Sequence, residues 1–102
     1  MENYVFEVID KTGRKIHLTK ERWKHITSPN SLHPYMTNYL EEMKEALTES
    51  SDIVLHILDS SKADYYLYIK EKKIYLLVGV KYLNGGGFVT TTFFTRKLIK
   101  KA

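Results

Sequence analysis

The sequence predicts an α+β fold in which an N-terminal β-hairpin and two helices pack on one face of a four-stranded antiparallel meander. Apolar and polar residues alternate on both sides of a glycine turn in the first twenty residues, as in a hairpin. Apolar residues then recur at helical spacing up to residue 48, and after residue 52 the chain consists of β-branched and aromatic runs. Because the helices precede the meander instead of alternating with its strands, this order favours α+β over α/β.

The composition indicates one soluble domain that spans residues 1–102. Apolar residues make up 43% of the chain, which is enough for a single core. No apolar run reaches the ~18 residues of a membrane span, and the start, MENYVFEVID, carries acids where a signal peptide carries basic residues. The chain has no cysteine, which excludes disulfides, thiolate metal sites and a cysteine nucleophile. We therefore expect a cytoplasmic protein without a membrane partner.

Positive charge exceeds negative charge in this chain. Lys and Arg number 16 against 12 Asp and Glu, giving a net charge of +4, and several of the cations lie in a basic tail at residues 96–102. The excess favours an anionic partner, with nucleic acid first. A tail that only keeps the chain end soluble would have the same composition.

The N-terminal hairpin is predicted over residues 4–18, where YVFEVI and KIHL flank a turn at Gly13. Thr19 follows at a position suited to a helix N-cap. Glu21 then lies in the first turn, near the positive end of the helix dipole. A short helix is therefore expected from Lys20 to Ile26.

A second helix is predicted after a loop. Residues 27–34, TSPNSLHP, contain two prolines among small polar residues and favour a loop or corner. Apolar residues then recur at spacings of four, three and four, at Met36, Leu40, Met43 and Leu47. Since glutamates and a lysine occupy the opposite side, the spacing predicts an amphipathic helix from about Tyr35 to Thr48.

Four consecutive antiparallel strands are predicted from IVLHIL, YYLYIK, KIYLLVGVKYL and GFVTTTFFT, parted by SSKAD, EKK and NGGG. The third of these runs is apolar on both faces, which is typical of a central strand. Its Lys81 would project from a rigid platform, although a lysine at a strand end is more often simply solvated. On the last strand, alternation places Thr91, Phe93 and Thr95 on one face. The same alternation places Phe88, Thr90, Thr92 and Phe94 on the other face.

The sequence lacks the common catalytic and cofactor motifs. It has no HExxH, calcium loop, GxSxG or GxGxxG, and Gly85–Gly87 lies between two strands instead of before a phosphate-binding helix. We therefore predict no metal and no cofactor. The remaining groups suit metal-free chemistry on a phosphodiester: imidazoles, cations to neutralise phosphate, and threonine hydroxyls. RNA supplies its own nucleophile, the 2′-hydroxyl.

The first helix divides two roles between its faces. Trp23 lies on the same side as Ile26, whereas His25 lies roughly 200° away at about 100° per residue. Trp23 is thus predicted to pack on the sheet and His25 to face a rim. The alternative, which spacing alone favours, is a surface histidine stabilised by the helix dipole. His33 in the loop is a weaker candidate, and His56 is predicted to be a hydrogen-bonded core or edge residue.

The segments IHLTKERWKHI, HP, a helix, YYLYIK, VGVKY and GFVTTTFFT occur in an order that resembles the small phage- and mobile-element-associated nucleases. These domains are grouped with barnase, EndoU, colicin ribonucleases and RelE as the BECR fold. The resemblance covers roughly residues 5–95. The chain departs from the family pattern at Tyr35, where an acid often follows His-Pro. The threonine run also leaves the register among Thr90, Thr91 and Thr92 open.

The resemblance implies a metal-independent endoribonuclease that cleaves RNA by 2′-hydroxyl transesterification. The implied catalytic residues are His25 as general acid or base, Lys81 on the phosphate charge and Thr91 on a nonbridging oxygen. The implied substrate-binding residues are Lys70, Tyr66, Tyr82 and Thr95. A toxin-like or mobile-element effector is implied, with transfer RNA among its candidate substrates and a neutralising antitoxin among its candidate partners.

Two other functions fit the same sequence. A catalytically inactive module of this fold could bind RNA or a protein partner, since only one member of an acid–base pair, His25, is identified. A plain interaction domain could instead use an exposed edge strand. The sequence predicts neither the RNA target nor the oligomeric state.

Overall fold

The computed structural model describes residues 4–31 and 34–98 of the chain. In chain order the elements are β1 (Tyr4–Ile9), β2 (Lys15–Thr19), α1 (Lys20–Thr27), a 3₁₀ helix (Pro34–Asn38), α2 (Leu40–Glu49), β3 (Asp52–His56), β4 (Asp59–Ile69), β5 (Ile74–Leu83) and β6 (Gly86–Thr95). His33 and the last four residues of the basic tail lie outside the described residues. Among the described residues, no helix is both long and apolar enough to cross a membrane.

All six strands join one sheet in the order β1-β2-β6-β5-β4-β3. Strands β3 to β6 pair antiparallel in succession, and β2 pairs parallel with β6 over Lys15–His17. The α+β class is therefore confirmed. The predicted four-stranded antiparallel sheet with a hairpin packed on it is wrong in detail, because the hairpin extends the sheet to six mixed strands. Alternation within a hairpin specifies its own pairing but not the sheet edge that it joins.

Both helices contribute to one core on one face of the sheet. Trp23 and Ile26 of α1 pack there together with Met43 and Leu47 of α2. Helix α1 begins as predicted, since the Thr19 hydroxyl accepts a hydrogen bond from the Arg22 amide at 3.0 Å. The predicted second helix is split into a 3₁₀ turn and α2. Tyr39 stands between them in a non-helical conformation.

The turn between β3 and β4 lies earlier than the sequence predicts. SSKAD is part of β4, and the turn is formed by Ile57 and Leu58. These two side chains are 65% and 97% exposed. Their apolar character extends the IVLHIL run and conceals the turn, whereas the polar SSKAD looks like one.

Strand β6 does not alternate uniformly along its length. Gly79 of β5 lies opposite Thr91, and the next residue, Val80, lies opposite Val89, so Thr90 is an extra residue in a β-bulge. Phe88 therefore shares a face with Thr91, and its predicted place on the Thr92 face is wrong. The placement of Thr91 with Phe93 and Thr95 agrees with the register.

A buried polar cluster fastens the β1–β2 turn to the sheet. The Tyr65 hydroxyl donates a hydrogen bond to Asp10 and lies 2.8 Å from the Tyr82 hydroxyl. Asp10 also accepts hydrogen bonds from the amides of Thr12 and Arg14. Burial, and then the hydrogen bond to Asp10, raise the pKa of Tyr65 well above its ordinary value.

We expect Tyr65→Phe to lower the free energy of unfolding by about 1–3 kcal/mol, because Asp10 loses a buried donor. A raised pKa means that the native state holds the phenol proton more tightly. This contribution is therefore present below about pH 10 and is lost as the pH rises further. Urea unfolding at pH 7 and above pH 10 measures both effects. Tyr68→Phe, at an exposed tyrosine of the same strand, is the control. Equal stability of the two variants at pH 7 would contradict the role of the cluster.

Candidate active site

Three adjoining depressions form a groove that begins beside α1, passes over β6 and ends between β5, β4 and β3. The first, of about 470 Å³, is lined by His17, Thr19, Glu21, Arg22, His25 and Phe88. The second, of about 220 Å³, shares Arg22 and His25 with the first and adds Thr90 and Thr91. The third, of about 190 Å³, shares these two threonines and adds His56, Lys62, Asp64 and Gly79. The shared residues place the three depressions next to one another, and we refer to them together as the groove.

The groove begins where β2 ends. Strand β2 pairs with β6 only as far as His17, opposite Phe88, and the chain then turns into α1 at Lys20. Helix α1 thus runs past the part of β6 that β2 leaves unpaired. Trp23 packs on the core, whereas the His25 side chain is 69% exposed and has its Nε2 4.0 Å from a Glu21 carboxylate oxygen. The predicted division between a packing tryptophan and a rim histidine is confirmed.

The floor of the groove is closely packed around Gly79. A Cβ atom at this position would lie 2.9 Å from Cγ2 of Thr91 and 3.2 Å from Oγ1 of Thr90. It would also lie 3.5 Å from Oδ1 of Asp64. A side chain here would therefore clash with the threonines of β6 unless they shifted.

The far end of the groove contains a histidine–carboxylate pair. Nε2 of His56 lies 3.2 Å from Oδ1 of Asp64, and the Asp64 side chain is only 8% exposed. Since a carboxylate is an acceptor, this nitrogen is the proton-bearing one and Nδ1 is the nitrogen left for other partners. Lys62, exposed on the same wall, adds a positive charge to this end.

The sequence prediction missed this pair because it misplaced one turn. With SSKAD as a turn, Asp64 is not part of the sheet. With the turn at Ile57 and Leu58, Asp64 lies opposite Val54, and alternation brings His56 to the same face. The available signal was therefore the pairing register of the β3–β4 hairpin.

Lys81 lies on the same sheet face as the groove but is engaged elsewhere. Its Nζ is 2.5 Å from the Ser61 hydroxyl and 3.5 Å from a carboxylate oxygen of Asp59. Hydrogen bonds from Ser61, and then the positive charge of Lys81, hold the pKa of Asp59 below its usual value. Asp59 therefore stays ionised and offsets the charge of Lys81. Lys81 is separated from His25 by Phe88, which faces it across the β5–β6 pair.

The four predicted substrate-binding residues lie away from His25 or are covered. Lys70 follows the end of β4 and Thr95 ends β6, both at the opposite end of the sheet from Lys81. Tyr66 is fully buried and meets Tyr75 edge to face, so it has no free surface on which a base could stack. Tyr82 packs on the helix-covered core, with Arg14 over its ring at 4.0 Å. Tyr66 therefore has no exposed ring face for a base and Arg14 covers one side of the Tyr82 ring, whereas His25 and Thr91 line one depression.

The groove has the chemistry of a proton-transfer site more than that of a metal site. Within residues 4–31 and 34–98, no three His, Asp or Glu side chains come together in a way that could hold a metal ion. The groove instead offers three imidazoles, at His17, His25 and His56, together with threonine hydroxyls and cations at Arg22 and Lys62. No family model matches the chain, and comparison with curated proteins and with solved structures gave no match either.

Proposed function

We propose that the protein is a metal-independent endoribonuclease of the BECR group that cleaves RNA through attack of the 2′-hydroxyl on the adjacent phosphate. The observation that supports it most is the pair of histidines, His25 and His56, at the two sides of a floor made by Thr90 and Thr91. Transesterification needs two proton carriers, and imidazole serves as either acid or base near neutral pH. In this proposal His56 is the second carrier that the sequence left open.

The proposed reaction follows from these groups. One imidazole takes the proton of the 2′-hydroxyl, whose oxygen forms a bond to phosphorus. The bond from phosphorus to the 5′-oxygen breaks, and the second imidazole donates a proton to that oxygen. The products are a 2′,3′-cyclic phosphate and a 5′-hydroxyl. Asp64 fixes the orientation of the His56 ring, as carboxylates do for catalytic histidines.

The charge that develops on the phosphate is stabilised by Thr91 and Arg22. The Thr91 hydroxyl donates to a nonbridging oxygen, and the Arg22 guanidinium supplies positive charge from the wall that the first two depressions share. Lys81 has a lesser part in this reaction than the sequence implied, because Asp59 and Ser61 hold its ammonium group. Lys62 supports phosphate binding at the far end.

The biological setting in this proposal comes from the sequence resemblance alone. It is that of a toxin-like or mobile-element effector in the cytoplasm, with a neutralising antitoxin as protein partner. Transfer RNA is the first substrate to test, because its loops expose unpaired nucleotides for cleavage.

The direct test is incubation of the purified protein with transfer RNA and with a structured RNA in EDTA. We expect cleavage that is unaffected by the chelator, with fragments that end in a 2′,3′-cyclic phosphate. Mass spectrometry of the fragments identifies this end group. Fragments with a 3′-hydroxyl would contradict the mechanism. Salt-sensitive binding without any cleavage would instead favour the inactive RNA-binding module.

Thr91→Val is expected to lower the rate of cleavage by about 10²-fold, because it removes one hydrogen-bond donor to the transition state and keeps the shape and strand propensity. Thr95→Val is the matched control, since Thr95 lies on the same strand face but at the far end of β6. Initial rates under single-turnover conditions measure the effect. Equal cleavage rates for the two variants would contradict the role of Thr91 in the reaction.

A further inference from the structure

The largest depression of the groove holds two aromatic rings that the proposed proton transfers do not use. His17 and Phe88 line it opposite the helix residues Arg22 and His25. We propose that this depression binds one unpaired nucleobase next to the scissile phosphate, so that the substrate is single-stranded RNA or an RNA loop. This inference rests on the proposed function and specifies its substrate.

The rings belong to a row that crosses three neighbouring strands. Tyr4 of β1 stacks on His17 of β2, with ring centroids 4.1 Å apart and an interplanar angle of 15°. Phe88 of β6 follows, with its centroid 6.1 Å from that of His17 and a tilt of 30°. His17 and Phe88 are direct partners in the parallel β2–β6 ladder. Paired strands hold the row in place, and since Tyr4 covers one face of His17, Phe88 at the end of the row is the ring left for a base.

The position of the row favours a nucleobase over other planar ligands. Its depression, of about 470 Å³, is within the size range of small-ligand sites and shares Arg22 and His25 with the depression that contains Thr91. A base on Phe88 would therefore be bonded through its ribose to a phosphate beside His25. A base within a duplex is stacked on both sides and cannot offer its face to a protein ring. The substrate must accordingly present an unpaired base.

The experiment measures binding of labelled RNA to the His25→Ala protein, which separates recognition from cleavage. The probes are a single-stranded octanucleotide, the same strand in a duplex, and versions of the single strand with one abasic position. We expect the duplex to bind at least tenfold more weakly than the single strand. One abasic position is expected to weaken binding about as much as Phe88→Leu does. The two changes together are expected to weaken binding no more than either one alone.

Tyr68→Leu is the matched control, because it removes an exposed ring from the far end of β4. It is expected to bind every probe as the parent protein does. Equal affinity for intact, abasic and duplex RNA would overturn the inference, and the abasic arm decides this even where Phe88→Leu fails to fold. If binding shows no preference for an unpaired base but the wild-type protein cleaves RNA, this inference is wrong and the proposed function is retained. Absence of cleavage with retained base preference contradicts the proposed function alone.

Discussion

His25→Ala is expected to lower the rate of RNA cleavage by roughly 10²- to 10⁴-fold, the range that general acid–base groups contribute. The His25 side chain is 69% exposed on α1, and it makes a 4.0 Å contact with the carboxylate of the exposed Glu21. Its removal should therefore change the free energy of unfolding by no more than about 0.5 kcal/mol. A large loss of activity with unchanged stability would identify a chemical role.

Lys24→Ala is the matched control for this substitution. Lys24 is the preceding residue of the same helix, is exposed, and also lies in the last turn. Both variants lose a basic side chain, but only His25 lines the groove. Initial cleavage rates and thermal unfolding, measured on the same preparations, separate catalysis from folding. Comparable rates for the two variants would reduce His25 to the surface histidine that helical spacing alone favours.

His56→Ala is the second substitution with a large expected effect, again roughly 10²- to 10⁴-fold on the rate. Two proton carriers with opposite roles produce a bell-shaped dependence of kcat/KM on pH, and each histidine accounts for one limb. His25→Ala and His56→Ala are therefore expected to lose different limbs of the bell. Rates measured from pH 4.5 to 9 distinguish the two. Loss of the same limb in both variants would contradict the division of roles.

Asp64→Asn tests the positioning of His56 without removing it. The amide keeps the size of the carboxylate but offers its oxygen without the negative charge, so the imidazole at 3.2 Å is held less firmly. We expect a smaller loss of cleavage rate than in His56→Ala. Asp52→Asn is the control, since Asp52 is an exposed carboxylate on the same face of β3. A rate equal to that of the control would mean that the contact between His56 and Asp64 has only a structural role.

Local patterns predicted the parts of the fold that depend on neighbours in sequence. The first helix begins at Lys20 because the hydroxyl of Thr19 caps it, and Trp23 and His25 divide between its faces because of helical spacing. The long apolar run of β5 marked a strand with neighbours on both sides. In each case the pattern that allowed the prediction lies within a few residues along the chain.

Patterns failed where a residue's place depends on pairing with a distant strand. The bulge at Thr90 reverses the alternation of β6 and brings Phe88 to the face of Thr91. Alternation alone cannot indicate such a bulge, because it arises from the fit between two strands. The partners of Lys81 were hidden for a related reason. Asp59 and Ser61 reach it only because the β3–β4 turn lies before them.

The sequence by itself therefore determined an α+β chain, a capped helix with an outward histidine and a threonine-rich last strand. Only the tertiary structure decided which of these groups meet. The parallel pairing of β2 with β6 brings His17 beside Phe88, and the β3–β4 register brings His56 to Asp64. Both depend on contacts between residues far apart in sequence. These contacts are stabilised by pairing of the strands and by burial of the core. His25 was visible in the helix, but its neighbours in the groove follow from the assembled sheet.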